Sequence, residues 1–314
     1  MTCIASDVVF GMYSGLALLM DVYYPEHANG YGILCIPGSG WHAPQTYDAR
    51  PLKARPQTAE TYVQPLRAAG YTVFTVNHRA APRFRWPAAL EDVQRAARYI
   101  RYHASHYRIR PERLGAVGGS SGGHLVSLLG VFDGRGEAED PDPVNRESAK
   151  VQCVVAQAAP SDFLRVPLEG ATSAIVAFLG MTLVVGRQPP LPPTSLEYRT
   201  YQAASPVYAV STESAPFLLI HGDADILIHG DADIVMPFKH AELMAHALHQ
   251  AGVAVELLRV EGGAHGPDFP GARNPPEYLL MNLGWNERLY SWGYIRYTPP
   301  IRPSNVTEPR WYHA

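Results

Sequence analysis

The chain has 314 residues, of which 46% are apolar and 18% charged, and its formal net charge at pH 7 is −3. A chain of that length can bury a large core, and its near-neutral balance offers no electrostatic ground for nucleic acid or an anionic membrane as partner. No run approaches the ~18–20 consecutive apolar residues of a spanning helix, and no basic residue precedes the first apolar stretch, so a cytoplasmic protein is expected.

Residues 6–24 read as two strands joined by a turn at Tyr13-Ser14-Gly15. Gly32–Ile36 is a short apolar run ending in Pro37-Gly38-Ser39-Gly40, a strand that enters a Gly-rich loop. Helical spacing covers residues 59–69 and stops at Gly70, residues 71–76 are β-rich, and residues 88–103 form an amphipathic helix. Arg79, Arg83 and Arg85 are expected on a solvated loop, while Glu91 and Asp92 are expected to cap or pair on their own helix. Next come a strand at 114–117, the run Gly118-Gly119-Ser120-Ser121-Gly122-Gly123-His124-Leu125, and a helix that starts within it. Further strands are expected at 151–156, 217–220 and 255–260, with helices at about 238–251 and 277–290. Cys3, Cys35 and Cys153 are far apart and match no metal spacing, so reduced, buried thiols are expected.

Strands alternating with helices imply an α/β class with a mostly parallel sheet covered on both faces. One domain over residues 1–295 is expected, with 164–205 as a small lid or long connection and 296–314 as a Pro-rich tail. Ligands of such sheets lie at the carboxyl ends of the strands, where the two Gly-rich runs and the loops at 221–237 and 261–268 fall.

A serine on a strand-turn-helix elbow has its hydroxyl thrust out of the sheet, and its neighbours must be small. Gly118-x-Ser120-x-Gly122 and Gly119-x-Ser121-x-Gly123 both fit that pattern, one residue apart. A serine alcohol needs a base to take its proton, and the base needs a third group to fix its tautomer. Downstream lie two Asp-rich loops and then Glu261-Gly262-Gly263-Ala264-His265-Gly266, so the chain order Ser, Asp, His is present. The Asp-rich loops are a tandem repeat: Leu219-Ile220-His221-Gly222-Asp223-Ala224-Asp225-Ile226 recurs at once as residues 227–234. Asp223 and Asp231 read as loop-stabilising carboxylates. His246 and His249 lie three apart on a helix, but no third ligand is evident, and a solvated face is expected.

From about residue 7 to 292 the sequence resembles α/β-hydrolase esterases of the hormone-sensitive-lipase-like and feruloyl/acetyl-esterase-like group. Pro37-Gly38-Ser39-Gly40-Trp41 stands where they have His-Gly-Gly-Gly-Trp, and residues 86–92 resemble their Phe-Pro-x-x-Leu-x-Asp helix start. Residues 118–125 resemble their Gly-x-Ser-Ala-Gly-Gly-His-Leu elbow, and residues 262–266 their catalytic-histidine loop. The resemblance implies Ser120 as nucleophile, His265 as base, and the amides of Gly38, Ser39 and Ser121 as the oxyanion hole. It implies Asp233 as the acid, with Asp225 as the alternative, because the repeat doubles a loop the family has once. The apolar residues between the two copies would need cover from the lid or from a second chain in a homodimer.

Pro37 can donate from neither side chain nor backbone, so other contacts must hold the Gly-rich loop. The expected activity is hydrolysis of small or short-chain acyl esters without metal or cofactor, with a neutral-to-alkaline optimum if free imidazole is required. Two alternatives stand beside it: an arylformamidase- or peptidase-like amide hydrolase, and an inactive binding protein that keeps the fold.

Overall fold

The computed structural model describes residues 4–43, 51–55, 58–165, 172–181, 192–223 and 236–266. Eight strands form one sheet: β1 (Ile4–Tyr13), β2 (Leu16–Tyr23), β3 (Gly32–Ile36), β4 (Thr72–Val76), β5 (Leu114–Gly119), β6 (Val154–Gln157), β7 (Phe217–Gly222) and β8 (Val255–Val260). Their order is β1-β2-β4-β3-β5-β6-β7-β8. The β1–β2 and β2–β4 pairings are antiparallel, and every pairing from β4 to β8 is parallel. Six α-helices accompany them among the described residues: α1 (Gln64–Ala68), α2 (Ala88–Tyr102), α3 (Ser121–Val131), α4 (Thr172–Leu179), α5 (Leu196–Ala203) and α6 (Lys239–Gln250). This is the α/β-hydrolase architecture expected, and the expected elements up to residue 260 recur within a few residues. The helix expected at 277–290 and the tail at 296–314 lie outside the described residues.

The central strands are apolar throughout because both of their faces are covered. On β3, Leu34 and Ile36 join one core cluster and Ile33 and Cys35 the other; on β7, Phe217 and Leu219 oppose Leu218 and Ile220 in the same way. Cys35 and Cys153 are buried thiols outside any disulfide, as expected, and burial raises both, Cys153 to about 12. Cys3 lies outside the described residues.

The arginine cluster divides, which corrects the expectation of a solvated loop. Arg83 and Arg85 are exposed, but Arg79 is buried. Its guanidinium pairs with Asp92 and Glu91 and lies 3.9 Å from the centre of the Tyr13 ring. Asp92 therefore reaches off its own helix: its carboxylate accepts from the Arg79 backbone N–H at 2.6 Å and from Nε at 2.8 Å. A carboxylate buried this deeply needs such a partner. The sequence pattern could not reveal it, because the pair joins a loop to a helix start thirteen residues away.

Candidate active site

Strand β5 runs into a sharp turn at Ser120, whose φ of 53° and ψ of −124° are rare for a residue with a side chain. Two backbone bonds hold that conformation: Ser120 N–H donates to the Gln157 carbonyl at 2.8 Å, and His124 N–H donates to the Ser120 carbonyl at 2.9 Å. Helix α3 then passes so close to β3 and β5 that side chains would not fit at the elbow. A Cβ on Gly118 would stand 2.6 Å from the Gly122 backbone, and one on Gly122 would strike the Ile36 carbonyl.

His265 follows β8 on its Gly-rich loop. The Asp223 carboxylate accepts from the Gly262 N–H at 2.7 Å and from Arg259 Nε at 2.9 Å, so Asp223 ties that loop to the end of β7. The result is that His265 Nε2 stands 3.1 Å from Ser120 Oγ. Ser121 Oγ is elsewhere: its residue is 1% exposed, and the hydroxyl accepts from the Ser39 N–H at 2.8 Å. The structure thus brings Ser120, and not Ser121, to the imidazole. His221 Nε2 contacts the Met236 carbonyl at 2.8 Å, so the two ends of the acid loop are close together. Asp225, Asp231 and Asp233 lie outside the described residues. His246 and His249 are both exposed on α6.

The Pro37-led loop is held by contacts that do not involve Pro37. Arg55 Nη1 donates to the Gly38 carbonyl at 2.7 Å. Trp41 Nε1 donates to His124 Nδ1 at 3.2 Å, and the indole stacks on Phe178 of α4 with ring centres 4.6 Å apart. The imidazole of His124 completes the link by donating from Nε2 to the Ala204 carbonyl at 2.7 Å. Burial pushes His124 down to about 4, and the neutral ring suits a nitrogen that must accept from Trp41. Ser39, expected as an oxyanion donor, has its N–H engaged by Ser121 Oγ. Ser121 supplies that hydroxyl at the elbow position where the resembling esterases have alanine. The amides of Gly38 and Ser121 have no acceptor among the described residues.

A cavity of about 220 Å³ opens over the elbow. Ser120, His265, Gly38 and Ser39 line it, and so do Arg55, Thr58, Tyr62 and Gln157, which sequence reasoning had not singled out. Gln157 ends β6 at the carboxyl edge of the sheet, where strand-end logic could have found it. Arg55 lies in an irregular segment with no pattern to mark it. In the expected lid region, Ile175, Phe178 and Leu179 pack into the main core, and no described residue of 164–205 lines the cavity.

An elbow serine facing a histidine at the carboxyl edge of this sheet is an arrangement of the α/β-hydrolase fold. Residues 20–248 match the BD-FAE family, and the chain belongs to it. The curated proteins to which it is similar include two from Mycobacterium tuberculosis. It is 29% identical to the probable carboxylic ester hydrolase LipM over 70% of this chain and 47% of that protein. It is 26% identical to the esterase LipQ over 83% of this chain and 56% of that protein. The chain spans about half the length of these relatives. Among solved structures, an acetyl ester-xyloside bifunctional hydrolase from Caldicellulosiruptor lactoaceticus superposes with a TM-score of 0.73 at 24% identity, covering 91% of this chain and 96% of that one.

Proposed function

We propose that this chain hydrolyses carboxylic esters of small acyl groups through a covalent acyl-enzyme. The observation that carries this reading is the 3.1 Å approach of His265 Nε2 to Ser120 Oγ on a strained elbow. Ser120 Oγ attacks the ester carbonyl carbon while His265 Nε2 takes the hydroxyl proton. The carbonyl oxygen becomes an oxyanion facing the open amides of Gly38 and Ser121. The Ser39 amide can join them only when Ser121 Oγ turns aside. Each such donor is typically worth about 3–4 kcal/mol in the transition state. The ester C–O bond breaks, His265 returns the proton to the leaving oxygen, and water repeats the sequence to release the acid and restore Ser120.

Asp233, with Asp225 as the alternative, orients His265 from the duplicated loop. A cavity of about 220 Å³ supports a small acyl group over a long one. The ester-hydrolase names of the two mycobacterial relatives support the reaction class, and the acetyl-ester hydrolase of the same fold supports the acyl size. The test pairs hydrolysis of p-nitrophenyl acetate and butyrate with labelling by an organophosphonate. Turnover of acetate at least as fast as butyrate, and a label on Ser120, are expected. Neither turnover nor label would sink the reading in favour of a binding protein.

A further inference from the structure

Arg55 and Lys53 share one short segment but have opposite surroundings. Lys53 is buried, and its ammonium pairs with Asp21 at 2.6 Å and Asp7 at 2.9 Å, while its backbone N–H donates to Asn77 Oδ1. That cation is neutralised inside the fold, and it anchors the segment. Arg55, two residues on, is half-buried and lines the cavity of Ser120 and His265. Among the described residues the only hydrogen-bond partner of its guanidinium is a neutral one, the Gly38 carbonyl. No described residue lining the cavity carries a carboxylate.

A guanidinium has five donors in a planar fork, and one bond to a carbonyl leaves most of them unused. Gln157 and Ser39 of the same wall add no accessible polar atom to it there: Gln157 Oε1 accepts from the Tyr62 hydroxyl at 2.6 Å, and Gln157 Nε2 and Ser39 Oγ are buried behind the surface. Among the described residues the wall therefore presents unused guanidinium donors and one positive charge with no carboxylate beside it. A ligand that complements it supplies acceptors and negative charge. Because the chain is net negative, long-range attraction would not draw an anion to the site, and only the local charge of Arg55 can favour one.

We infer that Arg55 forms an anion subsite beside Ser120, so that the substrates are short esters carrying a carboxylate. The inference rests on the ester-hydrolase reading for the reaction and on the lining of the cavity for the charge. The carboxylate can belong to the acyl part or to the alcohol part, and paired substrates distinguish the two. Monomethyl succinate against dimethyl succinate places it on the acyl side; 4-acetoxybenzoate against its methyl ester places it on the alcohol side.

With hydrolysis followed by base uptake near pH 7.5, one charged ester should exceed its neutral partner in kcat/KM, mainly through KM. A lost charge-assisted bond is typically worth roughly 10–100-fold, so Arg55→Gln should reduce that ratio by this factor, with Arg55→Lys keeping part of it. If Arg55 only clamps the Gly38 loop, Arg55→Gln lowers charged and neutral esters alike, and the inference falls. It falls also if neither charged ester is preferred. Calorimetric titration of the Ser120→Ala protein with succinate separates this from the reaction itself. Saturable binding that Arg55→Gln removes supports the subsite even where the wild-type protein turns over no ester. Turnover of neutral esters without succinate binding or charge preference leaves the ester-hydrolase reading standing and overturns the subsite.

Discussion

Ser120 and Ser121 are identical neighbours that the fold sends in opposite directions. Ser120 takes the strained backbone and points at His265, whereas Ser121 starts α3 and turns inward to the Ser39 amide. Ser120→Ala is therefore expected to lower kcat by at least about 10⁴-fold, as losing a nucleophile does when the rest of the site remains. Ser121→Ala keeps its own backbone amide and frees that of Ser39. It should lose about 1 kcal/mol of stability, for one buried hydrogen bond, and keep turnover within about tenfold. Steady-state kinetics and denaturant melts on both variants decide it, and a dead Ser121→Ala with an active Ser120→Ala would reverse the assignment. At this scale the sequence narrowed the nucleophile to two residues. Their motif is symmetric by one step, and only the resemblance to known esterases chose between them.

Among elements, those set by local rules were legible and those set by distant contacts were not. The strands β3 to β8 are short apolar runs with Gly or Pro at their ends, so pattern alone locates them. The elbow helix was visible for the same reason. The burial of Arg79 was not, since it depends on Tyr13 from β1, Asp92 from α2 and the loop between β4 and α2 meeting in space. The duplicated acid loop between β7 and α6 is the other case, because two copies of one motif satisfy the same local rule. Its frame is fixed by His221 contacting Met236 and by Asp223 holding Gly262. Lengthening such a loop from about eight to sixteen residues costs only ~0.6 kcal/mol, so loop entropy does not choose the acid. Asp233 precedes the helix as the acid of a single-copy loop would, and Asp233→Asn should lower kcat by roughly 10⁴-fold through loss of the correct tautomer. Asp225→Asn should stay within about tenfold of wild type. Parallel kinetics on the two variants test this, and the opposite ranking would transfer the role to Asp225.

Across the whole molecule, burial of ionisable groups behind the site ties function to acid stability. His78 and His124 are both pushed down from 6.5 to about 4, chiefly by desolvation, with the Arg55 charge adding to the effect at His78. Asp92 is raised from 3.8 to about 6, because burial outweighs the Arg79 guanidinium beside it. The signs oppose one another. A histidine with a depressed pKa in the fold binds fewer protons folded than unfolded, so its contribution is complete above pH 6.5 and is lost as pH falls towards 4. Asp92 binds more protons folded than unfolded, so its contribution is complete below 3.8 and is lost as pH rises through about 6. Each shift corresponds to roughly 3 kcal/mol, and two histidines outweigh one aspartate, leaving a net loss of roughly 3 kcal/mol on going from pH 7 to pH 4. His124→Gln retains an acceptor for Trp41 and a donor for Ala204 but cannot titrate. It should lower stability at pH 7 yet flatten the fall on acidification, while Asp92→Asn should make that fall steeper. Thermal melts from pH 7 to pH 4 read both slopes, and a His124→Gln slope equal to that of the wild type would mean that this ring is not held neutral between Trp41 and the Ala204 carbonyl.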